Sequence, residues 1–410
     1  MSTPSPRPSY AAVLRVPHAR RTFASALVGR LSYGTVSLSV LLSVNRSTGS
    51  YAVAGTVMAL FGATSVFLSP GRAALLDRYG PRRALIPMAL LYAALLCALA
   101  AVCRSGEVSV PVLAVTAALA GACTPPLGPT MRAVWAGLLP DRALLQRAYS
   151  LDGVCEELLF VSGPLLVGVL IRFAPPEAGV VLSALLVTVG AVAFGTSPAV
   201  RAGSSRAEAA VRGGRPAFRA LRRPVAVAAA AGLAVGAVEL LVVAFAERHG
   251  LGDGAVAWTL AAMSAGSAVG GLVSGAVAWR RPARVRLRYL AAGLGLSVAA
   301  TGLAPAVFVS AVACVGLFVA PLLTTAYLIV DESVSASHRI RAGAWVNTAV
   351  NAGGSTGAAA AGLLMAHVPL ALCFTAAGAL AVTTALMPTR RAAPHSAEPA
   401  PDALVVTPSR

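Results

Sequence analysis

Long apolar runs alternate with short polar punctuation along almost the whole chain. A helix that crosses a bilayer needs roughly 20 mainly apolar residues. Measured against that length, the chain predicts twelve spans, at 23–44, 51–69, 84–103, 108–130, 151–172, 178–198, 225–246, 255–279, 287–304, 306–329, 343–366 and 368–388. The stretch 199–224 holds seven arginines among Gly and Ser and is the one long polar connection, so it marks the midpoint. The predicted organisation is an N-terminal tail (1–22), six helices (23–198), a central loop (199–224), six more helices (225–388) and a Pro/Ala-rich tail (389–410) without fixed structure.

Composition agrees with the pattern. Of 410 residues, 57% are hydrophobic and 12% charged, where a soluble domain carries about 25% charged. The net charge of +18 raises the question of nucleic acid. Its distribution answers no, because the cations form short clusters between apolar runs with no basic, aromatic-laced face. All 33 cations are arginine, which together with the abundant Ala, Gly, Val and Leu reads as a GC-rich bacterial genome. The six cysteines sit in or at the edge of apolar runs, without CxxC or Cys/His spacing, and read as small buried hydrophobes. The histidines are scattered near span ends and tails, so neither a metal site nor a cofactor is expected.

Arginine counts set the orientation. The N-terminus, alternate loops and the C-terminus hold 28, the intervening loops 4, and Arg30 lies inside a span. The positive-inside rule then places both termini in the cytoplasm of a cell membrane, as in a bacterial plasma membrane. On that side falls the most charged turn of the chain, Asp77-Arg78-Tyr79-Gly80-Pro81-Arg82-Arg83, between spans two and three.

The chain also repeats. Ala52-Val53-Ala54-Gly55-Thr56 matches Ala255-Val256-Ala257-Trp258-Thr259, and the same offset lays the 77–83 turn over the basic loop 280–286, which keeps the cations and lacks the acid and the glycine. A second offset lays span five on span eleven, with Gly163 on Gly357, Gly168 on Gly362 and Glu157 on Asn351. Two six-helix halves in parallel repeat are the arrangement of one transporter fold, with a central cavity between the halves.

Twelve spans, a six-plus-six repeat, a basic central loop and Asp-Arg-x-Gly-x-Arg between spans two and three resemble the major facilitator superfamily over about residues 20–390. The turn is similar to that family's Gly-x-Leu-x-Asp-Arg-x-Gly-x-Arg signature: Leu75, Asp77, Arg78, Gly80 and Arg82 match, and Ala73 replaces the leading glycine. The resemblance implies a cytoplasmic gate that fastens the halves in the outward-facing state, with Asp77, Arg78, Gly80, Arg82 and Arg83 as its residues. Gly80 allows a tight reversal and Pro81 ends a helix; Asp77 is expected to pair with a nearby arginine. Gly163-Pro164-x-x-x-Gly168 in span five resembles part of a motif of the drug/proton antiporter branch, which implies a bent helix packed closely on a neighbour from the other half. That branch also carries an arginine in span four, where this chain has Ala117, and Pro125-Pro126 and Pro129 predict a kink there.

Charges inside spans are rare and mark pathways or partners. Here they are Arg30, Asp152, Glu156, Glu157 and Glu239. Arg30 and Glu156 lie at similar depth, so a pair between Arg30 and Glu156 or Glu157 is expected, either fixed or exchanging with substrate or proton. Glu239 has no arginine at its depth and suits a proton carrier or a cation ligand. Asn347 and Asn351 share a helix face and read as interhelical hydrogen bonds or substrate contacts. The chain is therefore expected to be an all-α membrane protein and no enzyme. It reads as a monomeric secondary transporter by alternating access, exporting a small amphipathic or cationic compound against protons. Uptake of a sugar or other metabolite stands as the alternative, and a membrane receptor on the same fold ranks behind both.

Overall fold

A computed structural model describes residues 9–105, 109–201, 218–303 and 307–386, and among them the protein is all helix, with no strand. The chain begins with a short helix, α1 (Tyr10–Arg15). It continues through α2 (Ala19–Thr48), α3 (Tyr51–Phe67), α4 (Ser69–Tyr79), α5 (Pro81–Arg104), α6 (Val110–Cys123), α7 (Leu127–Leu138), α8 (Arg142–Leu170) and α9 (Glu177–Gly195). After the midpoint come α10 (Phe218–Arg248), α11 (Asp253–Ala276), α12 (Ala283–Thr301), α13 (Phe308–Ser333), α14 (Arg339–Met365) and α15 (Leu370–Leu386).

Helical structure occupies each of the twelve predicted places. By length and apolar content alone, eight helices among the described residues could cross a bilayer, or nine if α3 and α4 count as one bent span. Two of the predicted spans are broken. The α3–α4 pair bends by 43° at Leu68, where Pro70 starts the second helix. Span four stops at Cys123 and restarts at Leu127, because Pro125 and Pro126 supply no amide to continue the ladder. The expected tail and loop also differ in their bounds. Residues 10–15 are helical and packed, α2 starts at Ala19, and α10 starts at Phe218, inside the stretch read as loop. Residues 202–217 of the central loop and the C-terminal tail at 389–410 lie outside the described residues.

The helices before the midpoint pair with one another in the same scheme as those after it. The pairs α2–α8, α2–α9, α3–α6, α5–α9 and α5–α6 have counterparts in α10–α14, α10–α15, α11–α13, α12–α15 and α12–α13. Large side chains of both sets, such as Trp135, Tyr92, Phe194, Phe374 and Leu241, are fully buried. The two sets meet mainly through α8 on α11 and α13, and through α4 and α7 on α14.

One close approach fixes the helix that carries most of the membrane acids. Gly163 of α8 lies backbone to backbone against Gly34 of α2, where an added Cβ would come within 2.6 Å of the Gly34 Cα. This neighbour belongs to the same set, whereas the motif suggested one from the other half. Gly168, the second glycine of that motif, has open space around it, and Pro164 sits inside a helix that runs on unbroken. Gly163→Ala should therefore force α2 and α8 apart and destabilise the protein by about 1–3 kcal/mol, lowering the Tm in a thermal scan of the purified protein. Gly168→Ala should leave the Tm unchanged.

Candidate functional site

Four ionised side chains form a closed square beneath the centre of the bundle. Arg30 on α2 reaches Asp152 at 2.7 Å and Glu156 at 2.8 Å, both on α8. Arg132 on α7 reaches the same two carboxylates, Asp152 at 3.1 Å and Glu156 at 2.6 Å. Asp152 and Glu156 are one helical turn apart, so their carboxylates stand on one face and share both guanidinium groups. The square is neutral, as a charge set at this depth has to be. Asp152 is completely enclosed, while 29% of the Glu156 side chain remains accessible, from the cavity it lines. The Arg132 guanidinium also stacks 4.0 Å from the centre of the Tyr327 ring on α13, which ties the square to the other helix set.

Arg132 is the member that sequence reading missed. The sequence places it among the loop cations, because the fourth apolar run ends at residue 130. The signal was present in two forms: the Pro125-Pro126 break implies a restarted helix, and Met131, Ala133, Val134 and Trp135 surround Arg132 with apolar neighbours. Arg72 was counted the same way. It is buried, and it donates to the carbonyls of Thr64 and Ser65 at the end of α3 and of Gly121 and Ala122 at the end of α6, at 2.5–3.3 Å. One guanidinium thus completes two helix C-termini that the chain breaks leave open. The Tyr33 hydroxyl donates to the Pro125 carbonyl at the same break.

A cavity of about 670 Å³ opens above the square, a size that suits a small molecule. Glu157 and Glu239 both line it, from α8 of one set and α10 of the other. The Ser267 hydroxyl of α11 donates to Glu157 at 2.9 Å, and Glu157 does not pair with Arg30. Glu239 has no hydrogen-bond or ion-pair partner among the described residues, as its isolation from the arginines suggested. Asn347 and Asn351 line it too; the Asn351 amide donates to the Asn347 carbonyl of its own helix at 2.8 Å, so this bond is not interhelical.

Below the cavity the two sets are joined at the ends that carry the arginine-rich loops. Asp77, on the last turn of α4, accepts from the backbone amides of Ile340 (3.3 Å) and Arg341 (2.9 Å). These are among the first amides of α14, which have no partner within their own helix. The carboxylate therefore caps a helix of the other set and is favoured there by that helix's dipole; the nearby arginine that the sequence suggests is Arg341, whose own backbone amide is one of the two donors and whose charge also acts on the carboxyl. Gly80 has φ +80° and ψ 150°, a conformation that needs glycine, and it turns α4 directly into α5. Pro81 starts α5 rather than ending a helix. Arg82 and Arg83 are exposed, and Arg78 lies 5.2 Å from the centre of the Tyr79 ring.

The C-terminal end of α11 is completed in the same way. Gln146 donates to the Ser274 carbonyl at 2.7 Å and Arg147 to the Ala276 carbonyl at 2.9 Å, both from α8. Arg286 of α12 is buried with no ion-pair partner among the described residues, and it donates to the Gln146 side-chain oxygen at 2.7 Å and to Thr325 at 3.2 Å. Among the described residues, the hydrogen bonds and ion pairs between the sets fall at mid-depth or at this end.

A family model described as Major Facilitator Superfamily matches residues 22–312. No curated protein matches the chain. Among solved structures, the chain is similar to a bacterial homologue of the iron transporter ferroportin in the outward-facing state, with soaked iron (TM-score 0.69, 14% identity, 90% of this chain and 96% of that one). It is also similar to the E. coli fucose:proton symporter (TM-score 0.63, 14% identity, 90% and 98%). A third likeness is to a proton:xylose symporter bound to 6-bromo-6-deoxy-D-glucose (TM-score 0.67, 13% identity, 92% and 95%).

Two substitutions test the charge square. Arg132→Met leaves the enclosed Asp152 and Glu156 with a single cation and should cost about 3–5 kcal/mol, seen as a large fall in the Tm of the purified protein. Adding Glu156→Gln restores neutrality and should recover part of that loss. Equal melting temperatures for the single and double variants would show that charge balance does not hold the square.

Proposed function

The chain belongs to the major facilitator superfamily of membrane transporters, and from that premise we propose a secondary active transporter that works by alternating access. In this reading its twelve spans form two six-helix halves that rock about the central cavity. Contacts between the halves gather at the arginine-rich end, which the charge distribution assigns to the cytoplasm, so the conformation described is the outward-open one. Both termini then lie in the cytoplasm, and the bilayer is that of the cell membrane.

The cargo we assign is a small amphipathic or cationic compound, exported as a monomeric carrier in exchange for protons. The observation that carries this is the pair Glu157 and Glu239. All the other acids beside the cavity are matched by arginine within the square. These two stand on opposite halves with no cation beside them. An unmatched carboxylate at mid-membrane is relieved either by a proton or by a positively charged ligand. Competition between the two for the same groups is the minimal requirement of an antiporter. The square supplies a second element. Glu156 is its accessible member, and protonating it would free Arg30 and Arg132 from one partner and loosen the stack on Tyr327 across the halves. The gate residues Asp77, Arg78, Gly80, Arg82 and Arg83 act in the closing of the cytoplasmic end, with Asp77 at the contact itself.

The wall amides of Asn347 and Asn351 favour a second reading, uptake of a neutral hydroxylated metabolite. Everted vesicles with an imposed pH gradient, screened with a panel of cations and neutral sugars, separate the two. Export predicts proton release on addition of a cation, and a transport rate for Glu239→Gln that no longer depends on pH. Proton movement with sugars alone supports the second reading, and an unchanged pH profile for Glu239→Gln removes that residue as carrier.

The gate has its own test. Asp77→Asn keeps the shape of the cap and loses its charge, worth about 1 kcal/mol at a helix N-terminus. The closed cytoplasmic end should become about fivefold less populated, which faster labelling of a cytoplasmic-side cavity residue by a membrane-impermeant thiol reagent would report.

A further inference from the structure

The first described helix lies against the closed end and touches both helix sets. Ser9 caps α1, accepting from the Ala12 amide at 3.1 Å. Val13 is completely buried, and Leu14 and Val16 pack on the same core, so α1 is anchored on α2 and α8 of the first set. The chain then turns into α2 through Pro17 and His18. The φ of His18 is +64°, the one left-handed value outside glycine among the described residues. That elbow gives α1 a fixed direction. At its other end the Tyr10 hydroxyl donates to the carbonyl of Leu272, on α11 of the second set, at 2.6 Å.

The fit around this bond is close. Gly275 faces Tyr10 and Ser150, and a Cβ there would come within 2.6 Å of the Ser150 hydroxyl. Gln146 and Arg147 bond the Ser274 and Ala276 carbonyls, two and four residues further along. Tyr10 therefore adds a third donor to the end of α11, on the lone pair that the helix leaves unused at Leu272. Burial pushes the Tyr10 hydroxyl above its ordinary pKa, against the opposing pull of Arg147, and it stays a donor at neutral pH.

We propose that α1 is a strap: anchored on the first helix set through Val13 and hooked to the second through Tyr10, it holds the arginine-rich end closed and has to let go of α11 before that end opens. The proposal rests on the alternating-access reading given above. Among the described residues, the Tyr10 bond is the one hydrogen bond of the strap that crosses between the sets, so its loss changes the balance of states while the anchor stays in place.

Hydrogen–deuterium exchange on the purified full chain tests this with three variants. Tyr10→Phe removes only the hook. Deletion of residues 2–16 removes the strap, and Asp77→Asn weakens the separate cap on α14. Tyr10→Phe should raise exchange about fivefold, the change expected for one net hydrogen bond, in peptides covering 272–279 and also in those covering 339–345, which Tyr10 does not touch. Peptides covering 45–51, at the opposite end, should exchange more slowly as that end closes. The deletion should do the same to a larger extent, and its Tm shows whether the bundle is intact. Faster exchange confined to 272–279 makes Tyr10 a local contact and overturns the strap. So does no change in either α1 variant while Asp77→Asn shifts both ends. If Asp77→Asn shifts neither end, alternating access itself fails and the strap falls with it.

Discussion

Inside a bilayer a helix end has no water to complete its hydrogen bonds, and in this protein the completing groups come from neighbouring helices. Asp77 supplies the missing acceptor to α14, and Gln146 and Arg147 supply donors to α11. In each case cap and helix belong to different sets. The same bonds that satisfy the helix ends thus also join the two sets. Such a joint suits the reversible opening proposed above: it is directional, and water could take over its unpaired groups if the sets separated there.

That requirement also explains how the buried cations are distributed. Arg72 meets four carbonyls at the ends of α3 and α6 and needs no carboxylate, because two helix C-termini converge on it with their negative ends. Arg30 and Arg132, one turn or more from any helix end, are neutralised by Asp152 and Glu156 instead. With the arginines so accounted for, the two remaining cavity acids gain their meaning. Glu157 and Glu239 have no arginine beside them among the described residues, and they line one cavity from different helix sets, which is what the proposed function builds on.

Much of this was legible in the sequence where the physics is local. The apolar runs gave helix positions because span length is a property of one segment and one membrane. The charged turn identified Asp77 and Gly80, since an acid and a glycine have no reason to sit in a purely topological loop. What escaped depends on partners distant in sequence. Arg132 and Arg72 look like loop cations until the breaks at 124–126 and 68 return them to the interior. The amide cap on Asp77 escapes because a sequence shows charges and not free amides. The glycine of α8 was assigned to the wrong side for the same reason: a bare Cα says that something approaches and not what, and here it is Gly34 of the same set.

The repeat is imperfect in a way that the caps make intelligible. The loop at 280–286 occupies the place of the 77–83 turn in the second set, and it has lost the acid and the glycine. In its place Arg286 reaches back across the sets to the neutral amide of Gln146. The two joints therefore differ in kind. One sets a carboxyl acceptor on the N-terminus of α14. The other sets donors on the C-terminus of α11: the Arg147 guanidinium meets the Ala276 carbonyl directly, and Gln146, held in turn by Arg286, meets that of Ser274. Each places on a helix end the kind of group that its dipole favours, an acid at the positive end and a cation at the negative one. Tyr10 adds an uncharged donor to the side that lacks the acid.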